Sequence, residues 1–148
     1  MQLNIRKNPA EEAEKLKAQY ASECKERLKS EWTFCKKAVD LMTKAGWDYN
    51  KFETRTTIDR KIYYRIYNGK LENPKLNTVL KICIGLRLRQ RERDELIELA
   101  GHKWLNNKKH FYYQRIFDDF IINTPSDFND VYAIFFPDEP KPFKNDGK

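Results

Sequence analysis

The residues able to do covalent or metal chemistry in this chain are few and badly spaced for it. His102 and His110 do not fall in the H-E-x-x-H spacing that sets two imidazoles around zinc on one helix face. Cys24, Cys35 and Cys83 form no C-x-x-C pair; their odd number and wide separation suit free thiols in a reducing compartment better than a disulfide frame. Pro137-Asp138-Glu139-Pro140-Lys141 echoes the acids and lysine of some nuclease centres. Those acids come from adjacent strands, whereas these are contiguous in a proline-rich tail. Asp118 and Asp119 would point to neighbouring faces of a helix, as a solvated edge does. No G-x-G-x-x-G or G-x-x-x-x-G-K run offers a phosphate cradle. The expectation is no catalytic residue, no metal, no cofactor and no enzyme activity.

What remains is charge, and it is unevenly placed. The 148 residues carry a net +7. Residues 49–110 hold 15 Lys and Arg against 7 Asp and Glu, whereas 111–148 hold 4 against 7. A concentrated cationic segment attracts polyanions by field strength. Within it, Arg87, Arg89, Arg91 and Arg93 alternate along a stretch expected to follow a phosphate backbone, to grip an acidic partner, or to form a solvated lip in which neighbouring carboxylates offset them. The tyrosines Tyr63, Tyr64, Tyr67, Tyr112 and Tyr113 could stack on bases, but the spacing assigns Tyr63 and Tyr113 to the core and leaves Tyr64, Tyr67 and Tyr112 open. Apolar runs never approach the ~20 residues a membrane helix needs, and the first residues lack an apolar leader core, so a cytoplasmic protein with no membrane partner is expected.

A chain this long hides roughly 70% of its unfolded surface on folding and needs neither disulfide nor metal to do so. Its pattern is helical throughout, with no alternation long enough for a sheet. From Pro9 a helix carries a thin stripe, Ala13, Leu16, Tyr20, Cys24 and Leu28. A second is expected from Ser30 to Ala45, closed by Gly46, either separate from the first or continuous with it as one helix bent near Ser30. Asp48 can cap Tyr49 to Thr56, and Asp59 can cap Arg60 to Tyr67, which Asn68-Gly69 ends. Pro74 opens a longer helix with Leu76, Val79, Leu80, Ile82, Cys83 and Leu86 on its core face. A further helix runs through Leu96, Ile97 and Leu99 to Gly101. Lys108–Asn123 is expected to bury Tyr113, Ile116, Phe117, Phe120 and Ile121. Thr124-Pro125-Ser126-Asp127 reads as a cap, an N1 proline and an acidic first turn for a last helix ending near Phe136. Three parts are expected: a helical arm at 1–29, a main domain at 30–136 and a frayed tail at 137–148.

The order of short elements between 32 and 88 is more specific than any one residue. Two eight-residue helices joined by Thr57-Ile58-Asp59 stand between a longer helix and an apolar one, with Phe52, Ile58, Tyr63 and Ile66 at the inner positions. This order, and the run Arg65-Ile66-Tyr67-Asn68-Gly69-Lys70 followed by Asn73-Pro74 and Thr78–Ile82, resembles the helix-turn-helix of the phage-repressor (Cro/XRE) class. Leu96–Gly101 and Ile116–Ile121 extend the likeness to a variant module of bacterial and phage proteins, over roughly 32–136. The resemblance implies an all-α, lambda-repressor-like bundle with two added C-terminal helices. The sequence departs from the pattern at Glu53 or Thr54 and at Thr57, where a small residue and a glycine are usual, which puts tight helix packing in question. It departs also at Tyr49 and Arg91.

Carried over position by position, the resemblance assigns base reading to Arg60, Lys61, Tyr64 and Arg65. It assigns phosphate contacts to Tyr49, Lys70, Lys75, Lys81, Arg87 and Arg89. It implies duplex DNA as partner and a transcriptional or mobile-element regulator as function, with a homodimer through the aromatic C-terminal helices. The alternative is a protein-interaction module, an inhibitor or adaptor in phage–host conflict, using the same scaffold on a protein partner.

Overall fold

Side chains that satisfy helix termini decide where this chain turns. The computed structural model describes residues 9–29 and 32–143, and among them eight helices and no strand. The chain divides into two compact units between Trp32 and Thr33. The first holds α1 (Pro9–Lys29), with Glu11 and Glu12 in its first turn, where carboxylates favour the helix dipole. Leu16 of its thin stripe is exposed. Ser30 and the side chains of Tyr20, Cys24 and Leu28 lie outside the described residues, as do residues 144–148.

The second unit is built from seven helices. Thr33 accepts from the Lys36 amide and starts α2 (Phe34–Lys44), four residues later than the pattern suggested. Asp48 caps α3 (Tyr49–Thr56) by accepting from Lys51, and Asp59 caps α4 (Arg60–Tyr67) by accepting from Lys61. The next helix, α5 (Leu76–Leu86), begins after Lys75 rather than at Pro74, whose carbonyl is instead bonded by His102 Nε2 at 2.6 Å. Helix α5 is the hub: α3, α6 (Gln90–Leu99) and α8 (Pro125–Phe135) all pack on it, and Val79, Leu80, Ile82 and Cys83 are buried. Helix α2 packs on α4 and α6, and α7 (Lys108–Asp119) packs on α8. No helix of the described residues is long and apolar enough to cross a membrane.

Three local expectations are corrected. Helix α7 stops at Asp119, with Phe120 in extended backbone, because the next residues belong to the following cap. Asp127 Oδ2 accepts from the amides of Asn123 and Thr124 while Thr124 Oγ1 accepts from Asp127, a reciprocal capping box that takes the chain out of the helix early. Phe120 and Ile121 are therefore exposed rather than buried, Ile121 at 86%.

The tail is not frayed as far as Phe143. The Asn129 amide donates to the Phe143 carbonyl at 2.7 Å and accepts from its amide at 3.0 Å, and the Phe143 ring sits 4.9 Å from that of Phe128. Asn77 adds a bond to the Pro142 carbonyl, and Tyr132 donates to Glu139. Finally, the arginine stretch is mostly helix, because Gln90 opens α6. Arg93 is buried at 2% exposure and spans from Asp94 to Asp118 of α7 with bonds of 3.1 and 3.0 Å, its guanidinium over the Phe117 ring.

Candidate nucleic-acid interface

The α3–α4 corner depends on a turn that a glycine would ordinarily make. Thr57 adopts it instead, in left-handed backbone at φ 61°. That conformation costs a side-chain-bearing residue of order 1 kcal/mol and persists because its surroundings hold it. Thr56 supplies the hold: fully buried, its hydroxyl donates to the Phe52 carbonyl and accepts from the Ile58 amide. Phe52 is fully buried between Trp47 and Tyr63, with ring centroids 6.3 and 5.4 Å away.

Tight packing, in question from the bulk of Glu53 and Thr54, is achieved from the other side. Gly85 of α5 lies so close that a Cβ there would come within 2.9 Å of the Trp47 ring and 3.1 Å of the Arg55 carbonyl. The small residue at this contact stands on α5, not α3.

With Tyr63 and Ile66 turned inward, α4 presents Arg60, Lys61, Tyr64 and Arg65 outward, all exposed. Arg60 is held in place. Glu53 of α3 accepts from its backbone amide through Oε2 and from Nη2 through Oε1, both at 3.0 Å. Its guanidinium stands 4.7 Å over the Tyr49 ring, itself 6.2 Å from Tyr64. The Glu53 carboxylate, by hydrogen bond and then by charge, raises the already high pKa of Arg60 further. Tyr63 behind it is pushed up to about 12, chiefly by burial and then by the Tyr67 hydroxyl, so it stays a neutral core phenol.

The structure thus brings Tyr49, Arg60 and Tyr64 together at one end of α4. Lys70 follows directly, its amide closing the helix end on the Arg65 carbonyl, and Lys75 is exposed at the start of α5. Arg87 and Arg89 stand on a different element, the exposed α5–α6 connection, as C-cap of one helix and N-cap of the next. Lys81 is the exception. It lies on the buried face of α5 with 6% of its surface exposed, inside the packing of the hub helix, and is not presented for a phosphate.

Sequence reasoning passed over Glu53 as a partner of Arg60, since seven positions across a turn is no standard pairing interval. A glycine inside an apolar helix was the visible signal for Gly85. Cys35 and Cys83 are buried thiols, and burial raises Cys83 well above the ordinary thiol range, so it stays protonated.

Residues 40–90 match the family model of a Cro/C1-type HTH DNA-binding domain. The matched segment runs from within α2 to the first residue of α6 and contains the whole α3–α4 corner, so the lambda-repressor-like fold and the Cro/XRE likeness both hold for it. No curated protein and no solved structure matches the chain.

Proposed function

We propose that this Cro/C1-type domain places α4 in the major groove of a specific duplex site, and that the protein regulates transcription or a mobile element by occupying it. One observation carries the reading: the outward face of α4 holds three cations and a tyrosine, and one of those cations is already oriented by α3. An arginine whose rotamer is fixed loses less freedom on binding, and its unpaired N–H groups suit the O6 and N7 of guanine. Lys61 and Arg65 flank it. On this reading Tyr49, Lys70 and Lys75 would contact phosphates beside the same helix, and Arg87 and Arg89 would do so from the α5–α6 connection. Action as a homodimer on two half-sites about one helical turn apart completes the reading.

The test is selection from a random duplex library with the full chain, followed by variants on the selected site. Lys61→Ala or Arg65→Ala should cost about 1–3 kcal/mol there and broaden the preferred sequence. Arg87→Ala with Arg89→Ala should weaken all duplexes alike and flatten the salt dependence, which steepens by about 0.9 per neutralised phosphate. A library that yields no preferred sequence, with no duplex binding at low salt, would overturn the reading. It would favour the second one, a protein-interaction module, for which the same ion pair speaks: the charge of Arg60 is already answered by Glu53.

A further inference from the structure

The C-terminal extension reaches back to the turn of the helix-turn-helix. A cleft of about 500 Å³ lies where the two meet, lined by Thr57 of the α3–α4 turn, by Ser126 and Asn129 of α8, and by Pro140, Lys141 and Phe143 of the tail. Of these residues Thr57 alone belongs to the matched segment 40–90. Residues 111–148 carry more acids than bases, 7 against 4. Among the described residues that line the cleft, however, Lys141 is the one ionisable side chain, and no carboxylate stands with it. Lys141 is exposed, yet its backbone is held from both sides. Tyr132 donates to Glu139 at 2.8 Å, Asn77 donates to the Pro142 carbonyl at 3.0 Å, and Asn129 holds both main-chain groups of Phe143. A lysine on tethered backbone loses less freedom on binding than one on a free tail.

We infer that Lys141 contacts a phosphate of the duplex that α4 reads, so that the anchored tail extends the DNA-facing surface beyond the Cro/C1-type domain. Position and charge both point to that occupant. Thr57 stands three residues before Arg60, so chain length alone keeps their Cα atoms within about 10 Å of each other. The major groove is about 12 Å wide, and its two walls are phosphate backbones. A helix that enters it at Arg60 brings the cleft beside its first turn toward one wall. The amides at the start of α8 are not what would attract the phosphate, because Thr124 and Asp127 already cap that helix. The cation is. The inference rests on the regulatory reading above for the duplex itself, and adds to it a contact that family membership does not supply.

The experiment is duplex binding by the full chain on the site selected from a random library, as a function of salt, with ethylation interference to locate the phosphates. Lys141→Ala and Lys141→Arg are measured alongside; the position is exposed, so circular dichroism and melting should be unchanged in both. Lys141→Ala should make the log–log salt slope shallower by about 0.9, a deficit that grows about eightfold for each tenfold fall in salt, and should leave the preferred sequence as it was. One flanking phosphate whose ethylation weakens the wild type should cease to matter in Lys141→Ala and still matter in Lys141→Arg. A wild type that selects a site, with an ethylation pattern that Lys141→Ala leaves unchanged, overturns this inference and keeps the DNA reading, since a charge felt only through its field moves no single phosphate. An arginine variant that behaves like the alanine one also overturns it, because the contact uses charge. A wild type that binds no duplex at low salt removes the regulatory reading, and the inference with it.

Discussion

Replacing Gly85 by alanine adds one methyl at the tightest helix contact behind the α3–α4 corner. The new Cβ would lie 2.9 Å from Trp47 Cη2, 3.1 Å from the Arg55 carbonyl oxygen and 3.1 Å from Thr56 Cγ2. None of the three retreats freely. Trp47 is buried edge-on against Phe52, the carbonyl is main chain, and Thr56 is fastened by its two hydroxyl hydrogen bonds. Overpacking of this kind costs about 1–3 kcal/mol. Alanine in a helix interior recovers about 0.5–1 kcal/mol relative to glycine. The overpacking wins, and the expected net loss is about 0.5–2 kcal/mol, or a fall of roughly 2–6 °C in Tm for a chain of this size. Urea denaturation followed by circular dichroism reads it directly, with the slope against urea unchanged. Because the displaced atoms bracket the end of α3, duplex affinity should fall by more than the unfolded fraction explains. A Gly85→Ala variant as stable as the wild type, or more so, would refute the reasoning, since helix propensity would then outweigh the contact.

Arg93→Ala should cost about 2–3 kcal/mol in denaturant unfolding. It removes a buried cation from two carboxylates, though both are partly exposed and water can compensate them. Arg93→Met keeps an apolar side chain in the buried site and should lose less; equal losses would place the stabilisation in the ion pairs alone. Asn129→Ala removes both hydrogen bonds to Phe143 and should cost about 1–3 kcal/mol, with limited proteolysis at Lys141 accelerated; unchanged cleavage would mean the Phe143 ring suffices as anchor. His110 Nδ1 accepts from the Leu105 amide, and burial followed by the Lys109 charge lowers its pKa below 6.5. The unfolded chain therefore binds the proton more readily, so this contribution is full above about pH 6.5 and is lost as pH falls through the lower folded value. His110→Gln should flatten the difference in stability between neutral and mildly acidic pH, and a variant with the wild-type slope would exclude the histidine.

The helices were legible in the sequence where their ends are decided locally. Asp48, Asp59 and Thr124 each accept from an amide two or three residues on, and Gly46, Gly69 and Gly101 adopt positive φ just past a helix end. Such signals need only a few neighbouring residues, so periodicity and caps suffice to place them. The errors share the opposite property. Arg93 belongs to the core because Asp118, 25 positions on, meets it. Phe143 is anchored by a side chain 14 positions earlier. Lys81 looks like a surface cation by type and is buried because α5 is covered by three other helices. Phe120 and Ile121 continue the apolar stripe of α7 in sequence but leave it in space, because the cap of α8 claims the chain first. Charge and hydrophobicity read residue by residue cannot register these outcomes.

The candidate site shows the same limit in a form that bears on its chemistry. Naming Arg60, Lys61, Tyr64 and Arg65 required only the order of helices, but counting them as equivalent cations misstates the surface. Glu53 neutralises Arg60 across the turn, so the cations of α4 left to draw in a polyanion are Lys61 and Arg65. A paired guanidinium contributes little to long-range attraction, yet its fixed direction makes it a better hydrogen-bond donor toward a single base edge. On the proposed function, the work therefore divides. Lys61 and Arg65 would both draw in the duplex and read bases, the lysines beyond α4 would add only to the rate and salt dependence of encounter, and Arg60 would add discrimination with little attraction. Glu53→Gln separates the two. It keeps an acceptor for the Arg60 amide and removes the charge, so binding to random duplex should strengthen while the preference for the selected site weakens. Parallel gains on both sequences would mean that Glu53 only repels phosphate and does not aim the arginine.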